Sequence, residues 1–172
     1  MTLPLSSFPA YQSAGSAIAR TAEAMHLRHF EDFAVGERLA LAPFHVTAKE
    51  IAAFAAEFGS LPADFDAAAD GALSAASGWH GCAIFMAMMC RGWLSETAFL
   101  GAPGVDRAQW QRPIRVGDRL GGVSEVMALR ASKSRAELGF VHIRHVVTNG
   151  AGDIVLSLKN PMMFACRPAA AP

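Results

Sequence analysis

The chain has 172 residues, with 15 Lys+Arg balanced by 15 Asp+Glu for a net charge of zero. That balance excludes broad electrostatic attraction to nucleic acid or to an anionic membrane, and the length suits one domain that buries its own core without metals or disulfides. Hydrophobic residues make up 52% of the chain and charged residues 17%, an apolar share that a second copy covering part of the surface would explain. The three cysteines, Cys82, Cys90 and Cys166, form no C-x-x-C pair, and an odd count argues against a disulfide framework. Cys82 and Cys90 lie in an apolar run and are expected in the core. No basic residue precedes Arg20 and no continuous apolar stretch follows the start, so a secretory signal is not expected. The apolar run Cys82 to Cys90 falls far short of the roughly 18 residues that span a bilayer. The expectation is a cytoplasmic protein with no membrane partner.

Residues 1–28 are rich in Ala, Ser and Pro without periodicity and read as an arm, mobile or laid over a partner. One domain is expected over 29–166, with 167–172 as a frayed tail. Ordered structure is expected from Phe30-Glu31-Asp32-Phe33, followed by a turn at Val35-Gly36-Glu37 and a strand over Arg38 to Val46. Thr47-Ala48-Lys49-Glu50 matches a capping box. Ile51, Phe54, Ala55 and Phe58 follow at i, i+3, i+4 and i+7, one face of a helix that Gly59 stops. Ser60 to Ala76, with Pro62 and three aspartates, reads as a loop holding a short helix near Ala67 to Asp70. Ser77-Gly78-Trp79-His80-Gly81 then leads into a segment apolar on every side through Trp93-Leu94, the pattern of a helix wrapped by the rest of the protein.

The second half changes period. Val105 to Val116, Asp118 to Arg130, Phe140 to Thr148 and Asp153 to Cys166 are strand-like, and Asn149-Gly150-Ala151-Gly152-Asp153 makes a hairpin loop. Pro161 inside the last run implies a bulge or an edge position. The order is strand, helix, loop, buried helix and four strands. An α+β fold satisfies it, with an antiparallel sheet curled around one central apolar helix.

Four stretches resemble the MaoC-like dehydratases, the family of hot-dog fold that includes the (R)-specific enoyl-CoA hydratases. They are Phe30 to Glu37, Thr47 to Phe58, Ala76-Ser77-Gly78-Trp79-His80, and Pro103-Gly104-Val105-Asp106 through Trp110 with Arg112 to Asp118. The likeness spans residues 30–166 and rests on order and spacing. It implies a hot-dog fold, an acyl-CoA or related thioester as substrate with coenzyme A as part of that substrate, hydro-lyase chemistry, and pairing of hot-dog chains, most simply as a homodimer.

The family's hydratases carry Asp-x-Asn/Gln-Pro-x-His in the loop after the first helix, an acid/base pair that activates water and handles the α-carbon proton. Here the matching stretch is Gly59-Ser60-Leu61-Pro62-Ala63-Asp64. With Pro62 on the family proline, Gly59 stands at the Asp position and Asp64 at the His position, so both members of the dyad are changed. A replacement set is expected from Asp64 and His80 as catalytic groups, with Asp66 beside the substrate. The resemblance also places the thioester carbonyl at the start of the central helix, where Ser77, Gly78 and Trp79 are the expected binding residues. Unpaired N–H groups and the positive end of the helix dipole suit a developing enolate oxygen there. Ser77 also suits a plain N-cap.

His145 shares a strand face with Val141, Ile143 and Val147, and a hydrogen-bonded core histidine is expected. Neither the six histidines nor the cysteines show metal-ligand spacing, so no metal is expected. Arg112, Arg115, Lys133 and Arg135 are either solvated turn residues or contacts for coenzyme A phosphates. Met86, Met88 and Met89 are either core packing or the lining of an acyl tunnel. Two further functions stay open beside the hydratase: a non-catalytic subunit that holds a thioester or supports an active partner chain, and an acyl-CoA thioesterase.

Overall fold

The computed structural model describes residues 27–59 and 75–168. Residues 1–26 of the expected arm, the stretch from Ser60 to Asp64 and the end of the tail lie outside them, while Arg28, at the end of the expected arm, bridges to Thr97. A turn of 3-10 helix at Phe30–Asp32 opens the fold. Strands β1 (Arg38–Ala40) and β2 (Phe44–His45) follow, then helix α1 (Ala48–Phe58), β3 (Ala75–Ala76) and helix α2 (Gly78–Gly92). After them come β4 (Phe99–Gly101), β5 (Arg107–Trp110), β6 (Ile114–Arg115) and three long strands, β7 (Arg119–Ala131), β8 (Leu138–Thr148) and β9 (Ile154–Ala165).

The antiparallel sheet runs β1-β7-β8-β9-β4, with β2 also on β7 and β5 also on β9, while β3 and β6 form a separate pair. Its inward face is set by period-2 alternation: Val141, Ile143, His145 and Val147 of β8 are buried, and the residues between them are not. Helix α2 lies in the curl of that sheet and buries Ile84, Phe85, Met88 and Met89. Each such side chain contributes about 1.5–3 kcal/mol when fully removed from water. The expected architecture, a sheet wrapped around a central helix, is the observed one.

Local signals explain the helix ends. The Thr47 hydroxyl accepts from the Glu50 backbone N–H, and the Glu50 carboxylate accepts from Thr47, both halves of the capping box. Gly59 ends α1 at φ 84°, a left-handed value that disfavours side chains. At the hairpin, Asn149 Oδ1 accepts from the N–H groups of Ala151 and Asp153 and folds the loop on itself.

Several expectations need correction. The strand expected over Arg38 to Val46 is two pieces flanking Pro43, and the one over Val105 to Val116 breaks into β5 and β6 at Pro113. Proline carries no N–H for the ladder, so the pairing lapses at each. Strand β4 was not anticipated, because Phe99–Gly101 is too short to show alternation. Helix α2 is not covered on every side: Trp79 is 76% exposed and Met86 42%. Of the stripe on α1, Ile51 is buried but Phe58 is exposed. Cys82 and Cys90 are half-buried and pack against the core rather than inside it.

Pro161 occupies an edge-like position inside an interior strand. The Lys159 carbonyl accepts from Asp106 N–H, and Ala165 N–H donates to the Ala98 carbonyl. Odd-numbered residues of β9 therefore turn their backbone groups away from β8. Pro161 shares that direction and falls between the segment paired with β5 and the segment paired with β4, where no strand asks for its missing N–H.

Candidate functional site

Helix α2 has a different environment on each side of its first turn. Ser77 is the N-cap and its hydroxyl accepts from His80 N–H at 3.2 Å. Gly81 N–H donates to the Ser77 carbonyl. Among the described residues no acceptor takes the N–H groups of Gly78 and Trp79, so two donors at the positive end of the helix stay unspent.

Gly78 borders a cavity of about 280 Å³, lined also by Ser77, Gly81, Trp110, Arg112 and Ile114, among others. The Trp110 indole N–H donates to the Gly78 carbonyl at 2.8 Å and fastens edge strand β5 to the helix start. A Cβ on residue 78 would lie 3.1 Å from that indole nitrogen, so glycine lets the ring close over the turn. Arg112 lies at this cavity, 3.4 Å from the exposed Asp153 carboxylate. Arg135 instead pairs with Glu137 on the β7–β8 turn.

A second cavity, about 270 Å³, lies along the other flank of α2. Trp79, Cys82, Met86 and Met89 line one wall, and Phe99, Leu158 and Met162 belong to the opposite one. Burial raises the Cys82 thiol above its ordinary range, which keeps it protonated. The methionines thus divide: Met86 and Met89 line this cavity, whereas Met88 is fully enclosed in the core.

His80 lines neither cavity. It is 6% exposed and stacks flat on Phe54 of α1, ring centres 4.4 Å apart. Burial holds its pKa below the ordinary value, and the charge of nearby Glu50 opposes that shift. The ring is therefore neutral near pH 7, the form a general base requires. The expected site residues thus separate. Ser77 and Gly78 meet at the first cavity, Trp79 presents its side chain to the second and its N–H to the helix start, and His80 faces α1. Asp64 and Asp66 lie outside the described residues.

A polar row crosses the inward sheet face, and part of it escaped the sequence. His145 is fully buried, with Nδ1 2.8 Å from Ser124 Oγ and Nε2 3.0 Å from Asn160 Oδ1. Trp93 Nε1 donates to the same Ser124 Oγ, and Phe85 meets the imidazole edge-on. Burial depresses the His145 pKa to about 4. The expected hydrogen-bonded core histidine is what the structure shows. Ser124 and Asn160 carried only the alternation of β7 and β9 as a signal. Among the described residues no group of three or more His, Cys, Asp and Glu side chains gathers as metal ligands, and no helix is long and apolar enough to cross a membrane.

Comparison with solved structures decides the family. The crystal structure of the MaoC-like dehydratase from Rhodospirillum rubrum is 34% identical, with a TM-score of 0.73 over 82% of this chain and 99% of that one. The chain belongs to the MaoC-like dehydratase family. The fold is also seen at lower identity. The unliganded R-hydratase PhaJ1 from Pseudomonas aeruginosa matches at 20% identity, covering 84% of this chain and 93% of that one with a TM-score of 0.60. RV0216 from Mycobacterium tuberculosis, described as a double hotdog fold, matches at 21% identity and a TM-score of 0.69, over 85% of this MaoC-like chain and 46% of that one. No protein-family model and no curated protein matches the chain.

Proposed function

We propose that this MaoC-like chain binds an acyl-CoA thioester at the start of α2 and adds or removes water at its α,β-bond. One observation carries the reading: the N–H groups of Gly78 and Trp79 have no acceptor among the described residues, and Gly78 lines a cavity that Trp110 closes. A thioester carbonyl seated there gains two donors that strengthen as enolate charge develops. Arg112 at the same cavity supplies a cation for the coenzyme A phosphates. Gly59, at the family's Asp position, carries no proton, so acid/base work falls to Asp64, Asp66 and His80.

Pairing of two copies fits the same surface. Trp79, Met86, Val105 and Trp110 are large apolar residues left exposed around edge strand β5. A second copy there covers them and removes the edge. The double hotdog of RV0216, of which this chain spans 46%, is consistent with two such units working together. Sedimentation should give a dimer; a monomer at high concentration would contradict the pairing.

The functional test follows loss of the enoyl thioester absorbance of crotonyl-CoA, with binding measured in parallel by calorimetry. Turnover that falls at least about tenfold in Gly78→Ala, where the new Cβ crowds Trp110, supports the reading. Binding without turnover would make the chain a thioester-holding subunit whose activity is sought with a dyad-bearing partner. Release of free thiol would make it a thioesterase. Failure to bind any CoA thioester would sink the proposal.

A further inference from the structure

The polar row across the sheet has a direction, and that direction fixes what it shows to the second cavity. Asn160 Oδ1 can only accept, so the His145 nitrogen beside it, Nε2, carries the hydrogen. A neutral imidazole then has Nδ1 as acceptor, and the Ser124 hydroxyl donates to it. Trp93 Nε1–H, a donor without alternative, supplies Ser124 from the far side. The chain runs one way: Trp93 to Ser124 to His145 to Asn160. Its end is a carboxamide whose oxygen is taken and whose NH2 group has no acceptor among the described residues. Asn160 also lines the second cavity and supplies the only carboxamide there among the described residues, between apolar walls from Phe85, Met86, Leu158 and Met162.

We infer that Asn160 reads an acceptor oxygen on the ligand chain, so that the second cavity takes an oxygenated acyl group rather than a plain alkyl one. The physical basis is the cost of leaving a donor unmatched in apolar surroundings. A hydrocarbon chain covers the NH2 group without accepting from it, whereas a hydroxyl or oxo oxygen restores the bond. The relay behind Asn160 prevents a simple flip of its amide, because a flip would set NH2 against the Nε2–H of His145. This specificity residue deepens the thioester reading of the preceding subsection and rests on it for the thioester itself.

The test compares decanoyl-CoA with its monooxo derivatives oxygenated beyond the β-carbon, by calorimetry on the full-length protein; a ketone oxygen only accepts. At least one oxo derivative is expected to bind about tenfold or more tightly than decanoyl-CoA, as one unmatched donor implies. Asn160→Leu should erase that advantage. Because Asn160→Leu also strips His145 of its partner and can fail to fold, Asn160→Asp is measured beside it. That variant keeps an oxygen for His145 and removes the donor, so it too should lose the preference while its melting curve stays cooperative. Equal binding of all these thioesters, unchanged in either variant, would overturn the role of Asn160 and leave the thioester reading intact. If no CoA thioester binds, that reading fails, and tryptophan fluorescence with 2-octanone and n-octyl chloride decides the cavity alone. Preference for the ketone, lost in Asn160→Asp, supports Asn160; no preference overturns it.

Discussion

The centre of the sheet and the first turn of α2 each bury a histidine, under different constraints. His145 sits between three long strands, with both ring nitrogens committed and an aromatic edge against its face. His80 sits where two helices meet, held by a flat stack on Phe54 and by the charge of an exposed Glu50. In the sheet, the neighbours dictate the tautomer and the ring's position. At the helix start, packing against one aromatic ring sets the position, and the nearby carboxylate charge acts on the protonation state. The sheet histidine is tied by hydrogen bonds, the helix histidine by stacking and charge.

Alanine substitutions should separate the two regions most widely. His145→Ala opens a void and strands Ser124 and Asn160, and should cost about 3–5 kcal/mol in denaturant unfolding. His80→Ala should cost about 1–2 kcal/mol but lower turnover if the ring takes part in proton transfer. Equal stability losses would erase the contrast.

Acid sharpens it. Burial holds both folded-state pKa values below the ordinary 6.5, His145 at about 4. Between those values the unfolded chain binds more protons than the folded one. Stability is therefore unaffected by these groups above pH 6.5 and is lost as pH falls toward 4. For His145 the loss is about 3 kcal/mol, at roughly 1.4 kcal/mol per unit. Melting temperature against pH should fall less steeply in His145→Ala than in the native chain. Parallel slopes would show that His145 is not the group responsible.

Smaller changes probe the helix side alone. Thr47→Ala removes half of the α1 capping box and should cost about 1 kcal/mol. In NMR spectra it should shift the ring resonances of His80, which rests on that helix, and leave those of His145 in place. Glu50→Gln should lower the His80 pKa further, since the carboxylate charge is what raises it. An unchanged titration would remove Glu50 from its surroundings.

Much of this arrangement was legible in the residues. The Thr47 to Glu50 box, Ser77 before a run of apolar residues, and the alternation through His145 are local signals, and local rules place them. Pairing of β4 with β9 is not local, and three residues carry too little period to announce it. The stack of His80 on Phe54 and the reach of Asn160 to His145 join residues far apart in the chain, and the fold alone brings them together. Gly59 and Asp64 read as departures from a dyad only through the resemblance, which supplies the pattern to depart from.

The bond from Trp110 to the Gly78 carbonyl reaches further than the anchoring of a strand. That carbonyl and the N–H of Trp79 are two ends of one planar amide. Fastening the oxygen from behind stiffens the plane and fixes the direction in which the hydrogen points. A bonded amide oxygen also draws electron density through the conjugated unit, which makes the hydrogen at the other end a better donor. An aromatic side chain on the outer strand thus aims and sharpens a main-chain group that it never touches.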